Sequence, residues 1–223
     1  KTAVQAAFRF IDAAPSAPAG TQVVHEPLTV DIDGLHAEPG RVTVLTGPNG
    51  IGKTTLLQGV LGLAASSARI NGIDVAELGL QQWWSKVAWL AQRPVLIPGT
   101  VHDNLELFGP LPDVTAACRA ACFDDVLAEL PDGLHTVIGR GGVGLSLGQR
   151  QRLGLARVLG SAASVLLFDE PTAHLDGPTE LRVLRAIADR AAAGATVIVV
   201  GHREPVLAIG DVVLDMGAVG VAT

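Results

Sequence analysis

The residues with the clearest chemical meaning form a glycine-rich run that ends in a lysine and two threonines. Residues 47–54 read GPNGIGKT and fit the pattern G-x-x-x-x-G-K-[ST] at every position. Glycines in such a loop let backbone N–H groups turn toward phosphate oxygens, at the positive end of the helix that follows. Lys53 would reach the β- and γ-phosphates of a nucleotide, and the Thr54 hydroxyl would bind Mg²⁺.

A chance glycine-rich turn is the alternative to this interpretation. An apolar run precedes the glycines and a helical pattern follows them, and this order favours a phosphate-binding loop. The predicted phosphate-binding residues are Gly47, Pro48, Asn49, Gly50, Ile51, Gly52, Lys53, Thr54 and Thr55.

A second chemical signal is the run VLLFDE at 165–170, in which two carboxylates follow four apolar residues. A buried strand would deliver Asp169 to the carboxyl edge of a sheet, where it can hold Mg²⁺ through water. Glu170 beside it could polarise a water for in-line attack on a γ-phosphate. An acidic strand end alone usually marks a solvated loop, but together with the phosphate loop it predicts a nucleotide hydrolysis site.

Two further polar residues follow apolar runs. Gln92 ends KVAWLAQ, and its amide could contact Mg²⁺ or the attacking water. His202 follows VIVVG, and its imidazole could contact the γ-phosphate. A single Gln or His at such a place is usually a capping residue, so only the shared position at strand ends makes both of them candidates.

A second loop resembles a phosphate cradle. Residues 139–157 read GRGGVGLSLGQRQRLGLAR, where glycines lead into Ser146, Gly148 and Gln149 before a helical pattern begins. From the residues alone, the phosphates that this loop would hold stay undetermined.

The elements that position these residues alternate between strands and helices. Apolar runs at 41–47, 86–92, 164–170 and 195–202 read as strands. The helical pattern at 53–63 separates the first two of them, and the one at 178–194 separates the last two. Such alternation predicts an α/β fold with a parallel sheet core. Residues 101–160 read as a helical lobe inserted into that core.

The composition limits the class of protein. A chain of 223 residues with 48% hydrophobic and 17% charged residues predicts a globular domain, and the net charge of −6 argues against nucleic acid as a partner. No apolar run approaches the roughly 20 residues that span a bilayer. Cys118 and Cys122, four residues apart, predict small buried thiols on one helix face rather than metal ligands.

The motifs in this order resemble the nucleotide-binding domain of ABC transporters over nearly the whole chain. They are GPNGIGKT, the glutamine of LAQRP, the signature-like LSLGQ, VLLFDEPT, AHLD and the histidine of VVGHR. The resemblance implies a P-loop NTPase core with a mixed or parallel sheet, an antiparallel β subdomain and an inserted helical lobe. It also implies ATP and Mg²⁺ as ligands, with Thr54, Gln92 and Asp169 at the metal and Glu170, His202 and Gln92 in catalysis.

The resemblance gives the second loop a role. In this family two ATPase domains pack head to tail, and each ATP lies between one phosphate loop and the signature of the partner. The signature residues Ser146, Leu147, Gly148 and Gln149 are therefore expected to contact the ATP held by a second domain. Asp176 of AHLD would cross the interface, and the partner is expected to be a related, non-identical domain.

Several segments resemble the exporter branch of the family. LIPGTVHDNL at 96–105 and LPDGLHTVIG at 130–139 look like exporter segments, and residues 1–20 look like the end of a transmembrane helix and a linker before an ATPase domain at 21–223. The exporter would lie in the bacterial inner membrane with this domain on the cytoplasmic face. DEPTAHLD and GLSLGQRQRL are similar to the cysteine/glutathione exporter required for cytochrome bd assembly. An importer ATPase subunit and a soluble non-transport ABC ATPase are the alternatives.

The sequence departs from the family pattern at three places. Leu147 replaces a signature glycine, and Arg140 and Gly141 stand where exporters carry an acidic residue and an arginine. The chain contains no tyrosine for stacking on adenine. The base is therefore expected to rest on Val23, Val24 or His25, with altered coupling and poor base selectivity.

Overall fold

The computed structural model describes residues 20–219, which form two compact units. The first, called the sheet unit below, contains residues 20–89, 163–171 and 187–219. The second, called the helical unit, contains residues 90–162 and 172–186. The predicted transmembrane end and linker at 1–20 lie, apart from residue 20, outside the described residues.

Two β-sheets build the sheet unit. The smaller is antiparallel in the order β2-β1-β4-β5, and the larger has the order β11-β3-β10-β9-β6. β10 runs parallel to β3 and β9, and β11 runs parallel to β3. The strands of both units are β1 (Val30–Ile32), β2 (Leu35–Ala37), β3 (Val42–Thr46), β4 (Arg69–Ile70), β5 (Ile73–Asp74), β6 (Val87–Leu90), β7 (Gly99–Thr100), β8 (Val137–Ile138), β9 (Val165–Asp169), β10 (Thr196–Val200) and β11 (Val212–Asp215). Of these, β7 and β8 pair antiparallel with each other in the helical unit. The predicted α/β fold with an antiparallel β subdomain is confirmed.

The helices include one at each of the two predicted patterns, 53–63 and 178–194, and they depart from one expectation about the cysteines. They are α1 (Lys53–Val60), α2 (Leu80–Trp84), α3 (Val101–Leu105), α4 (Val114–Ala120), α5 (Asp124–Glu129), α6 (Leu147–Leu159), α7 (Gly177–Ala192), α8 (Glu204–Ala208) and α9 (Met216–Val219). Among the residues described, no helix combines the length and the apolar character that crossing a membrane requires.

The core of the sheet unit lies between its two sheets and α1. Every residue of β9 and β10 is buried, as expected of parallel strands that are covered on both faces. Leu57 of α1, Ile70 of the antiparallel sheet and Leu167 of the parallel sheet belong to one apolar cluster. The indole of Trp83 completes this packing and donates a hydrogen bond of 2.9 Å to the Val60 carbonyl.

The departure concerns the two cysteines of the helical unit. Both thiols are buried and free, as expected, but they do not share one helix. α4 ends at Ala120, and Cys122 adopts a left-handed backbone conformation with φ of 53°. The Cys122 carbonyl accepts a hydrogen bond of 3.0 Å from Arg152 of α6, which holds this break in place.

A buried arginine, which pairs with no carboxylate of residues 20–219, organises another part of the helical unit. The guanidinium of Arg157, on α6, donates to the Asn104 carbonyl at 2.9 and 2.6 Å and to the Val95 carbonyl at 3.1 Å. Asn104 is itself buried, and its side-chain amide binds both backbone groups of Ile97. Burial lowers the pKa of Arg157 to about 10. Hydrogen bonds to carbonyl oxygens thus replace the ion pair that a buried cation usually needs.

Candidate functional site

The glycine-rich loop connects β3 to α1, as its strand and helix signals predict. Gly52 caps the helix in a left-handed conformation with φ of 106°, which a residue with a side chain rarely adopts. Lys53 is buried at the start of α1, and its ammonium donates hydrogen bonds to the carbonyls of Gly47 and Pro48 at 2.8 and 2.9 Å. The cation of the loop is therefore held inside the curve that the glycines make.

The hydroxyl of Thr54 meets the carboxylate that ends β9. Thr54 Oγ1 donates a hydrogen bond of 2.7 Å to Asp169 Oδ2, although the two residues are 115 positions apart. Burial raises the pKa of Asp169 and Glu170 raises it further, while the Thr54 hydrogen bond and Lys53 act in the opposite direction. A hydroxyl and a carboxylate side by side, where burial opposes an uncompensated negative charge, form an oxygen donor set that suits Mg²⁺.

Glu170 follows Asp169 at the turn out of β9. Its φ is 49°, and its N–H donates a hydrogen bond of 3.0 Å to the Val200 carbonyl of β10. His202 leaves the end of β10, and its Nδ1 lies 3.9 Å from Glu170 Oε1. The His202 side chain is 60% exposed and the Glu170 side chain 22%. The turn therefore presents a carboxylate and an imidazole close to each other at the edge of the sheet.

Strand register explains why these residues converge. Asp169 pairs with Val200 of β10 in parallel register, and Val200 pairs with Leu45 of β3. Parallel strands that end at one level carry their following residues to one edge, where ligands of open α/β sheets bind. The phosphate loop, the Asp169–Glu170 turn and His202 thus share the carboxyl edge of the sheet. Gln92 follows β6 by two residues and belongs to the helical unit.

The signature-like segment begins α6. Ser146 is the N-cap, its Oγ accepts a hydrogen bond from the Gln149 N–H at 3.2 Å, and the Gln149 side chain accepts one from the Ser146 N–H at 2.9 Å. This reciprocal capping box leaves the N–H groups of Leu147 and Gly148 without helical partners. The Leu147 side chain is 62% exposed.

The predicted interface loop packs against this helix start within the helical unit. A Cβ on Gly148 would lie 2.9 Å from the His174 carbonyl oxygen, so this close approach requires glycine. Asp176 caps α7, since its carboxylate accepts hydrogen bonds from the Thr179 N–H and hydroxyl at 2.9 and 2.8 Å. Those bonds hold the pKa of Asp176 below its usual range.

Comparison with known proteins decides the family. A family model described as ABC transporter matches residues 31–173, well over half of the chain. The chain belongs to the ABC transporter family. The predicted recognition of a nucleotide-binding domain is thereby confirmed at the level of the family, and the chain is an ATP-binding ABC transporter ATPase domain.

Individual ABC transporter relatives agree with this assignment. The ABC multidrug transporter MDR2 of Trichophyton equinum is 39% identical over 196 residues, which cover 83% of the chain and 15% of that protein. The mycobactin import ATP-binding/permease protein IrtB of Mycolicibacterium thermoresistibile is 40% identical over 198 residues, covering 85% of the chain and 34% of that protein. The chain thus spans about a third or less of the length of these ABC transporters.

The solved structure of a bacterial Atm1-family ABC exporter with ATP bound is similar in fold. It matches 95% of the chain and 41% of its own chain, with a TM-score of 0.79 and 28% sequence identity. The α/β architecture and the family therefore rest on independent comparisons of sequence and of structure.

One expectation about adenine in this ABC ATPase domain is wrong. Val24 is buried in the apolar core between the sheets, so its side chain is not available to a base. Val23 is 43% exposed, and His25 is exposed beside it.

Two residues that are not in the motifs quoted above, Asp215 and Gly217, lie against the phosphate loop. A Cβ on Gly47 would lie 3.3 Å from Asp215 Oδ1, and a Cβ on Gly217 would lie 3.1 Å from Pro48 Cδ. The available signal is a carboxylate at the end of the apolar run VVLD, the same signal that marks Asp169 after VLLF.

Proposed function

We propose that the chain is the ATP-hydrolysing motor domain of an ABC exporter. The observation that carries this proposal is the 2.7 Å hydrogen bond between Thr54 and Asp169. It brings together the phosphate loop and the acidic strand end, the two parts that phosphoryl transfer from a nucleotide requires. Support for the export direction comes from the likeness to the Atm1-family exporter and the multidrug transporters.

Binding of ATP rests on the loop from Gly47 to Thr55. Lys53 exchanges the carbonyls of Gly47 and Pro48 for β- and γ-phosphate oxygens, which carry full negative charge and make stronger hydrogen bonds. The backbone N–H groups of the loop and of the start of α1 bind the remaining oxygens. Asn49, Gly50, Ile51 and Gly52 supply most of those N–H groups.

Hydrolysis rests on Glu170 as general base. The Glu170 carboxylate accepts a proton from a water as the water oxygen forms a bond to the γ-phosphorus. The bond from that phosphorus to the bridging oxygen breaks, and ADP keeps the electron pair. His202, 3.9 Å from Glu170, contacts the γ-phosphate and holds it in line with the water.

Thr54, Asp169 and Gln92 are the residues that would hold Mg²⁺. Their hydroxyl, carboxylate and amide oxygens are the ligand types that this hard cation prefers, and the buried Asp169 carboxylate gains a counter-charge. The ion, when bound, neutralises charge that develops on the phosphate oxygens.

A second ATPase domain completes the site. Ser146, Leu147, Gly148 and Gln149 contact the ATP held by that domain, and Asp176 contacts it across the interface. The partner is a related, non-identical domain, and this half differs from it at Leu147, which is exposed and replaces glycine, and at Arg140 and Gly141. A transmembrane domain fused upstream of 21–223 would place both ATPase domains at the cytoplasmic face of a bacterial inner membrane.

The transported substrate that the sequence motifs favour is cysteine or glutathione, as in the exporter required for cytochrome bd assembly. Import is the second candidate for the direction of transport. The IrtB protein, 40% identical over the matched residues, is named for mycobactin import although it combines ATP-binding and permease parts. Uptake of labelled cysteine, glutathione and siderophore into vesicles of both orientations, containing the full-length transporter, distinguishes these possibilities.

The experiment that tests the motor function is ATP hydrolysis by the chain, alone and mixed with candidate partner domains. We expect Mg²⁺-dependent ATP binding by the chain alone and turnover in one mixture, with both lost in Lys53→Ala. Absence of ATP binding by the parent chain would contradict the proposal. Turnover by the chain alone, with no gain in any mixture, would contradict the non-identical partner.

A further inference from the structure

The last turn of the described chain lies directly against the entrance of the phosphate loop. Asp215, the final residue of β11, pairs in parallel register with Thr46, the final residue of β3. The next residue after Thr46 is Gly47, so the two strands deliver the turn and the loop to the same place. Asp215 closes this turn, because its Oδ1 accepts a hydrogen bond of 2.8 Å from the Gly217 N–H.

Two glycines make the contact between the turn and the loop close. A Cβ on Gly47 would lie 3.3 Å from both Asp215 Oδ1 and the Gly217 nitrogen. A Cβ on Gly217 would lie 3.1 Å from Cδ and 3.7 Å from Cγ of Pro48. The three distances of 3.1–3.3 Å are tighter than ordinary van der Waals contact, so a side chain at either glycine requires the turn or the loop to shift by a few tenths of an ångström.

The same two loop residues hold the lysine of the site. The carbonyls of Gly47 and Pro48 accept the hydrogen bonds of the Lys53 ammonium, at 2.8 and 2.9 Å. Gly47 has a φ of 135°, a conformation that residues with a side chain rarely adopt. Any displacement of Pro48 therefore moves an oxygen that positions the ammonium.

We propose that the turn Asp215–Gly217 supports the phosphate loop and that Gly217 is a positioning residue for nucleotide binding. The turn fixes Gly47 and Pro48 from outside the loop, and through their carbonyls it fixes Lys53. A side chain at 217 pushes Pro48 and misplaces the lysine, although residue 217 touches no phosphate. This inference rests on the proposed binding of the triphosphate by the loop.

The test is the affinity of the chain for a fluorescent ATP analogue, mant-ATP with Mg²⁺, measured together with the melting temperature. Gly217→Val is expected to raise the Kd about tenfold, and Gly217→Ala to raise it less, because the added volume pushes on Pro48. Asp215→Ala, which removes the acceptor of the turn, is expected to raise the Kd. Asp215→Asn keeps an oxygen acceptor and is expected to stay within about twofold of the parent chain.

Two control variants separate support of the loop from a general loss of stability. Ala218→Val adds the same kind of side chain at the neighbouring exposed residue of α9. Gly210→Ala disturbs the same strand pair away from the loop, because its Cβ would lie 2.8 Å from Val44 Cγ2. Both are expected to bind mant-ATP within about twofold of the parent chain, whatever their melting temperatures.

The outcomes are distinct. A parent chain that fails to bind mant-ATP overturns the proposed function. A parent chain that binds, together with a Gly217→Val variant that binds equally well, overturns the supporting role of the turn. If Gly217→Val does not fold, the comparison of Asp215→Ala with Asp215→Asn decides the proposal, and equal affinities of these two variants overturn it.

Discussion

The α-carbon of Gly148 lies so close to His174 that an added Cβ would stand 2.9 Å from the His174 carbonyl oxygen. The start of the signature helix and the loop that carries Asp176 therefore pack backbone against backbone within the helical unit. Under the proposed function Gly148 contacts the ATP of a second domain, and its contact with His174 gives a second reason for glycine at this position.

Gly148→Ala should consequently destabilise the helical unit. The new methyl group must displace the His174 carbonyl, and such overpacking costs about 1–3 kcal/mol. The measurement is the free energy of unfolding in denaturant, with hydrogen exchange of residues 172–178 as a local reporter. Gly177→Ala is the matched control, because a Cβ there meets nothing within 4 Å. Equal free energies of unfolding of the two variants would contradict this prediction, because they would show that the loop at 172–178 moves aside without a measurable cost.

Glu170→Gln should separate binding from hydrolysis. The substitution keeps the shape of the side chain and removes its basicity, and a positioned general base contributes about 10²–10⁴-fold to a rate. We expect kcat to fall by that factor in the assembled dimer while the Kd for ATP changes by less than about twofold. Glu204→Gln changes an exposed carboxylate of α8 and serves as the control. Turnover by the Glu170→Gln variant at the parent rate would contradict the role of Glu170 as general base.

Asp169 should make the nucleotide-free domain less stable as the pH rises. Burial raises the pKa of Asp169 above that of an unfolded chain, so the folded state holds this proton more tightly. The stability that this group contributes is fully present below the unfolded pKa and is lost as the pH rises through the folded one. Asp169→Asn should abolish this loss and leave the domain more stable than the parent chain at neutral pH.

The measurement for Asp169 is the free energy of unfolding of both proteins between acidic and neutral pH, without Mg²⁺ or nucleotide. The difference between them isolates this group from the other carboxylates. Addition of Mg²⁺ and ATP should reverse the order of stability, because only the parent chain supplies the Asp169 carboxylate as a ligand to the metal. A difference that does not vary with pH would contradict the explanation.

Arg157 should be among the most sensitive positions of the helical unit. Arg157→Met removes three hydrogen bonds and leaves the buried Asn104 carbonyl without its donor, at about 1–3 kcal/mol. The Val95 carbonyl, on an exposed residue, loses its donor as well. Arg157→Lys keeps a cation that can reach one of the two carbonyls and should lose less. Chemical denaturation checks both, with the exposed Arg185→Met of α7 expected within about 0.5 kcal/mol of the parent chain. A decrease in the free energy of unfolding for Arg157→Met that is no larger than the decrease for Arg185→Met would contradict the structural role of Arg157.

Cys118 should contribute to alkaline unfolding. Burial raises the pKa of this thiol from 9.0 to about 11, and the Asp124 carboxylate acts in the same direction. Between those values an unfolded chain releases the proton and the folded chain keeps it, so the free energy of unfolding falls as the pH rises. Cys118→Ala should flatten that part of the profile. The native thiol should also resist iodoacetamide at pH values where an unfolded control reacts fully.

The sequence was most informative where a local pattern has one physical solution. The run GPNGIGKT needs glycine conformations and a helix start, and VLLF followed by two acids needs a buried strand, so the phosphate loop and Asp169 could be predicted from spacing alone. The alternation of strands and helices likewise determined the α/β class, because only a parallel sheet covered on both faces buries such runs.

Local sequence patterns do not predict which distant residues contact each other in the folded chain. The break at Cys122 depends on a carbonyl that accepts from Arg152, thirty positions away, and the apolar periodicity of 115–130 contains no sign of it. The burial of Val24 depends on packing between two sheets, which strand propensity does not reveal.

Local sequence patterns therefore predict which groups could bind a nucleotide, and contacts between distant segments show which backbones hold those groups in place. Gly148 against His174 and Gly217 against Pro48 are contacts between segments far apart in the chain, set by strand register and helix packing. A glycine looks the same in any motif, and only the atoms that surround it in the folded chain show what its missing side chain permits.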